Sequence, residues 1–517
     1  MIRLSPAAAL LAAALLAAAL LAAALPGAAH AQTPDPAGER VGAEFMVFEA
    51  EADEAAKAHF LRGLALLHNF EYDRAAASFR AAQEADPDFA MAFWGEAMTH
   101  NHPLWEEQDR DAARAILARL APTAEARAAK TRTPLEAAWM DALETLYAEE
   151  GTKEERDLAY LAKMRAMLAA YPEDIDVRAF TGLAVLGSSH GGRQVPIYME
   201  AAGILEPGFM THERHPGILH YLIHSYDDPV HAPLGKRMAE RYATVAPDAG
   251  HAQHMISHIF HALADWEASE EANIKADAVV DREFAAKGWG EYHCGHYNEW
   301  LIYAQAQQGK DVTSRVEACR DQAGQELAAD RRPATSIAPR SAATSFARIA
   351  LYTGAAGGAW SSALDWPEDQ FLRAQFLMAN ARLLQARGDA AAAASALAEM
   401  KRIDAVILAL LVEEFPNDTD LAPWNRRSIA QGEAIVMLAE GDTEKGLAAL
   451  RNSAEAEVAL PVVFGPPLIA RPSYELLGEE LLALGRKEEA AEAFRLSLAF
   501  APGRLPSVKG LEAATGG

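Results

Sequence analysis

Strand-forming segments are nearly absent from this sequence. β-Branched residues occur singly, and the alternating Val/Ile/Thr/Tyr runs that mark half-buried strands are missing. Alanine and leucine dominate instead, which points to an all-α chain. Cysteine is scarce too: Cys294 and Cys319 are the only two. In an oxidising compartment they can pair, joining the start of one helix to the antiparallel helix after it; otherwise they are two buried thiols. Positive charge is in short supply, with 47 Lys and Arg against 73 Asp and Glu and a net charge of -26. Such a surface repels phosphate backbones, which excludes nucleic acid as a partner. Several familiar catalytic signatures are also missing: there is no G-x-x-x-x-G-K-[ST], no C-x-x-C and no H-E-x-x-H. Nucleotide and haem-c chemistry lose their usual sequence warrants.

Long apolar runs are missing beyond the first thirty residues, so a multi-span membrane protein is excluded. The one such run, Ala7 to Leu25, follows Arg3 and precedes the small-x-small tripeptide Ala29-His30-Ala31. Met1 to Ala31 thus reads as a cleavable export signal, with an uncleaved anchor as the alternative, and the mature chain is expected to be periplasmic or secreted with no membrane span. Cleavage removes one arginine and no acid, taking the net charge from -26 to -27.

At 517 residues the chain calls for several domains or a repeat array. Near the C-terminus, Tyr474-x-x-Leu477-Gly478-x-x-Leu481 is followed by Gly485, Ala490-x-x-x-Phe494 and Pro502. Near the N-terminus, Gly63, Leu66, Ala75-x-x-x-Phe79, Ala82 and Pro87 repeat the pattern, with Tyr72 in the turn. Small residues let two antiparallel helices approach, the phenylalanine fills the space between them, and the proline ends the second helix. The chain resembles the tetratricopeptide repeat family, with degenerate copies at Phe371 to Asp404 and Ser428 to Val458. The resemblance implies an all-α solenoid of stacked helix-turn-helix units. Punctuation at Ser188 to Pro196, Arg331 to Arg340 and Thr353 to Ser362 suggests N-terminal repeats over 32–190, a central histidine-rich part over 191–330 and C-terminal repeats over 331–517. Ala459 to Ser473 is too proline-rich for helix and is expected to lie as an ordered loop over a face or edge of the array.

The histidines carry the functional signal. His220 and His224 form an H-x-x-x-H pair, and His254 and His258 repeat it 34 residues later. On a helix, His251, His254, His258 and His261 fall within an arc of about 80°, while Ile256, Ile259, Phe260 and Leu263 lie opposite. His220, His224 and Asp227 likewise share about 60°, across from Ile218, Leu219 and Leu222. The histidines are therefore expected to point away from the packing side. The 34-residue separation is the family's repeat length, so the resemblance implies equivalent positions on neighbouring first helices, lining a concave groove. Helix axes 8 to 10 Å apart would let imidazoles from facing rows converge on one ion, zinc, copper or iron among the candidates. His100, His251 and His296 are further candidate ligands, and Glu96 and Asp227 candidate catalytic groups that manage protons at the metal. Asp227 and Asp228 can equally orient imidazole N–H groups. His293, Glu299, His212 and His215 lie near in sequence, whereas His59 and His68 read as structural. Three readings follow: a metal site in a repeat scaffold, with enzymatic activity as hydrolase or oxidoreductase open; a metal-free scaffold whose groove takes a peptide, a protein or a small molecule; and metal storage or delivery. Oligomeric state is not legible.

Overall fold

The glycines and phenylalanines of the end repeats show why this sequence folds as stacked helices. In the computed structural model, which describes residues 38–329, 341–354, 364–367, 370–414, 421–461 and 463–516, Phe79 is wedged between Gly63 and Gly95. A Cβ on either glycine would come within 2.8 and 2.3 Å of the Phe79 ring. Phe494 stands in the same relation to Gly478 and Gly510, at 2.8 and 2.2 Å. Both sets have the same spacing, so one aromatic ring welds the first helix of its own unit to the next unit at either end of the chain. No larger residue fits at those glycines without moving a buried ring.

Each helix packs mainly on its sequence neighbours, as in Glu54–His68 on Tyr72–Ala85, Gly250–Ala262 on Trp266–Ala286, and Ser473–Ala483 on Lys487–Phe500. The fold is an all-α solenoid of helix-turn-helix units. Local chemistry supports the starts: Thr152 and Glu155 form a reciprocal capping box, and Asp265 caps the Trp266–Ala286 helix by accepting from the Ala268 N–H. Among the described residues the strand content is one antiparallel pair, Asn101–His102 with Glu107–Gln108, and no helix is long and apolar enough to cross a membrane.

Three apolar cores run along the array. The first extends from Val41 to Ala272, passing position 190 without a break. The second gathers Cys294 to Ala381 with Ala470, and the third Leu372 to Ala514. Cys294 and Cys319 are joined as a disulfide, linking the segment before the His296–Gln307 helix to the Thr313–Ala328 helix. The expected export signal at Met1 to Ala31 and the loop at Arg331 to Arg340 lie outside the described residues.

The C-terminal unit reaches back to the centre of the molecule. Arg504, 1% exposed, donates from Nε and Nη2 to Glu475 at 2.6 and 2.9 Å and from Nη1 to the Tyr303 hydroxyl at 3.1 Å. Trp266 Nε1 donates to the Gly503 carbonyl at 3.1 Å, and the Leu505 N–H to Gln307 Oε1 at 2.9 Å. These long-range contacts bring Ala459 to Ser473 over the central helices.

Candidate metal centre

Two helices, Pro216–Tyr226 and Gly250–Ala262, carry the repeated histidines. The first starts on Pro216, whose missing N–H costs nothing at that position, and His215 caps it by accepting from the Ile218 N–H at 3.3 Å. Both helices contact each other directly, as neighbouring first helices of two units should.

The histidines do not face an open groove. Every residue of Pro216–Tyr226 is buried, and all of Gly250–Ala262 except Phe260. The expectation of a polar stripe turned away from the packing side fails because distant aromatic residues cover it. Trp300 stacks on His258 at 4.4 Å, and Phe464, from the proline-rich segment, on its other side at 5.0 Å. Phe70 packs on His220 at 4.4 Å and Trp105 on His251 at 6.0 Å.

Inside this box the imidazoles form a closed ring. Centroid separations run 4.9 Å from His224 to His220, 5.2 Å to His251, 6.1 Å to His254, 5.0 Å to His258 and 5.6 Å back to His224. The exposed His296 joins from the side, 4.6 Å from His254. Three sets bring their donor atoms within 4.8 Å of one another: His220, His224 and His251; His254, His258 and His296; and His224, Asp227 and His258.

Hydrogen bonds fix which nitrogen carries the proton. His258 Nδ1 lies 2.9 Å from Asp227 Oδ2, and His220 Nδ1 lies 2.6 Å from the His68 carbonyl. His254 Nδ1 lies 2.7 Å from Asn273 Oδ1, an amide oriented by its own donation to the Ser269 carbonyl at 2.8 Å. All three partners accept only, so each Nδ1 is an N–H and each Nε2 presents a lone pair. His254 and His258 Nε2 face each other at 3.2 Å, and His220 and His224 Nε2 are buried with no partner. Burial, reinforced by the neighbouring imidazoles, holds His220 and His254 well below the usual histidine range. Burial also lowers His258 despite its carboxylate partner. Neutral imidazoles with converging lone pairs are the state a transition metal binds. Two nitrogens each 2.0 to 2.1 Å from a tetrahedral ion are about 3.3 Å apart, close to the observed separation.

Asp227 holds the assembly from behind. Burial works to protonate it, but Arg193 and the two histidines win and keep its carboxyl well below the usual range. Arg193 is ion-paired to Asp227 and, at 2.9 Å, to Asp228, and its guanidinium lies 4.2 Å from the Tyr198 ring centroid. Both Asp227 oxygens are therefore engaged, the second by His258 at 2.9 Å and His224 at 3.5 Å. The residue orients imidazoles and has no oxygen left over for a substrate.

Glu96 and His100 are not brought to this ring. Glu96 is buried among Gln83 at 2.6 Å, Arg80 at 3.2 Å and Arg119, and neither residue enters a ligand set among the described residues. The Ala90–Met98 helix turns Glu96 towards Arg80 of Tyr72–Ala85 and Arg119 of Arg110–Leu120, and His100 lies just beyond its end. His293 is exposed beside Glu291, and Glu299 faces Arg348 at 3.3 Å. Sequence reasoning missed Arg193, Asn273, Phe70 and Phe464. Phe464 lies in the proline-rich segment expected to cover a face of the array and Arg193 in the Ser188 to Pro196 loop, but the sequence marks neither as a site residue, and all four reach the histidines through tertiary packing.

A second buried histidine group lies next door. His68 Nε2 and His215 Nε2 lie 3.1 and 3.2 Å from Asp176 Oδ1, while His68 Nδ1 meets the Tyr221 hydroxyl at 2.8 Å. Gly217 makes room for this group, since a Cβ there would come within 2.3 Å of His68 Nδ1.

Comparison with known proteins adds the following. The tetratricopeptide repeat model matches residues 56–89 and 472–504. No curated protein matches the chain significantly. Among solved structures it is similar to the crystal structure of the APC/C hetero-tetramer Cut9-Hcn1, at 13% identity over 90% of this chain and 78% of that chain, with a TM-score of 0.35, a superposition too loose to carry an assignment. Tetratricopeptide repeats are thus present near both ends of an all-helical array that carries a histidine ring in its middle.

Proposed function

We propose that this chain is a repeat scaffold whose central histidine ring binds a transition metal. The observation that carries the reading is the pair of Nε2 atoms of His254 and His258, 3.2 Å apart with both Nδ1 positions committed to acceptors. Two lone pairs at that distance repel unless a cation lies between them, and burial opposes a proton in that place. His220, His224, His251 and His296 supply the remaining donors. Imidazole ligands suit zinc, copper, iron or nickel. A bound ion would supply Lewis acidity or a redox couple, while Asp227 and Asn273 fix the ligand tautomers. The buried setting favours an enzymatic centre over storage or delivery, which needs an exchangeable ion. Export to an oxidising compartment is supported by the signal-like Met1 to Ala31 and the Cys294–Cys319 disulfide.

The test is elemental analysis of untagged residues 32 to 517 beside a His220→Ala/His254→Ala double variant. One or two equivalents of a single metal, lost in the variant, support the reading. A protein that stays metal-free after incubation with zinc, copper and iron(II) overturns it. A second reading, docking of protein partners, is favoured by the matched repeats and by Val406, Leu408 and Val412, exposed on the Ala390–Glu414 helix away from the histidines.

A further inference from the structure

Beside the histidine ring, between the second histidine helix and the C-terminal units, lies a cavity of about 140 Å³ roofed by the proline-rich segment. Asp227 and His261 form its wall towards the ring, and Trp266, Tyr303, Trp424 and Phe500 line much of the rest. Among the described residues no lysine or arginine lines it, and its acids are Asp227 and Glu457. Its size is close to the roughly 150 Å³ apolar cavity that admits benzene.

The polar atoms of this wall are almost all engaged. The Tyr303 hydroxyl accepts from Arg504, Asp227 is held by Arg193 and His258, Ser497 meets Ser507 at 2.9 Å, and Glu457 accepts from the Ser473 N–H at 2.9 Å. Tyr303 still has its O–H to donate, and His261 has a buried ring nitrogen without a partner. His261 is 8% exposed, and the unpartnered nitrogen is its Nδ1. Trp266 and Tyr303 pack its ring at 5.0 and 5.1 Å, so it cannot turn away without breaking those contacts. A ring nitrogen without a partner at the edge of an aromatic cavity calls for a ligand with a flat apolar body and one hydrogen-bonding group.

We propose that this cavity binds a small uncharged phenol, its ring against Trp266, Trp424 and Phe500 and its hydroxyl hydrogen-bonded to His261 Nδ1. An anion is disfavoured because the wall offers no cation and carries two acids. A cation is disfavoured because the Asp227 charge is already spent on Arg193, and burial pushes the Glu457 carboxyl up to about 7. The site does not require the histidine ring to hold a metal, so the two ideas fail separately.

The experiment is calorimetric titration of the chelator-treated protein, residues 32 to 517, with phenol, benzene, benzoate and benzylamine. Phenol is expected to bind about three- to tenfold more tightly than benzene, the worth of one buried hydrogen bond, with benzoate and benzylamine weaker than both. In a His261→Phe variant, phenol should fall to the benzene level while benzene binding persists. Equal binding of phenol and benzene to the unsubstituted protein overturns the proposal whatever the variant does. So does tighter binding of either charged ligand, or no binding at all.

Discussion

Two buried histidine groups lie side by side in this protein and differ in one respect. In the His68, Asp176 and His215 group every ring nitrogen has a partner: two Nε2–H groups donate to Asp176, the Tyr221 hydroxyl donates to His68 Nδ1, and His215 Nδ1 accepts from the Ile218 N–H. In the ring on the two repeat helices, the Nδ1 atoms of His220, His254 and His258 are satisfied, the Nε2 atoms of His254 and His258 face each other, and the Nε2 atoms of His220 and His224 have no partner. Residue type and burial are the same in both groups, so neither property distinguishes a structural histidine from a ligand. The proton inventory does.

The largest expected contrast is in metal content. A His254→Ala/His258→Ala variant should lose bound metal completely, while a His68→Leu variant should keep it in every folded molecule, as elemental analysis of the two would show. Metal loss from both would merge the two groups into one site. Stability should divide the other way for the structural group: His68→Leu takes from the buried Asp176 carboxylate one of its two imidazole donors and leaves the Tyr221 hydroxyl without its acceptor, and should cost about 1–3 kcal/mol in denaturant unfolding.

Acid should find the same group. Burial pulls His68 down to about 4 from its ordinary 6.5. The unfolded chain takes up that proton near pH 6.5 and the folded one refuses it until about 4, so stability present at neutral pH falls across that window and levels off below it. The loss is about 3 kcal/mol, and His68→Leu should remove this component from a pH series of unfolding midpoints. Asp176, held below the usual carboxylate range, adds its own loss only in stronger acid.

Smaller effects sharpen the boundary of the ring. Asp227→Asn should weaken metal binding about 10- to 100-fold by releasing the His258 and His224 tautomers, as competition with a chelator would read. His100→Ala should leave metal content unchanged, and a loss there would extend the site to a helix that the geometry keeps apart.

The end repeats were legible because their signal is local: Gly63 with Phe79, and Gly478 with Phe494, lie within one helical hairpin. The histidine pairing was legible for a similar reason, since a 34-residue period places His220 near His254 on adjacent helices. Its burial was not. The helix-wheel argument took the polar face of Gly250–Ala262 as open, whereas Trp300 and Phe464 come from later in the chain to cover it. Periodicity describes one helix and its neighbours and carries no information about a cover arriving from some 200 residues away. Glu96 illustrates the same limit: its spacing to His100 suited a ligand pair, but the arginines that claim it, Arg80 and Arg119, belong to other helices. His68 was read as structural, yet its partners Asp176 and His215 lie 108 and 147 residues away, beyond the reach of any local pattern.

The return of Arg504, Gly503 and Leu505 to Tyr303, Trp266 and Gln307 gives the array a clasp. Open solenoids are elastic, and any stretch of repeats can form or fray with little notice elsewhere. A clasped one loses that independence: its middle is finished only after its last units have arrived, and sequence order becomes assembly order. The histidine ring lies between the halves that this clasp joins, so the proposed metal, if bound from solution, would have to enter before the last units dock.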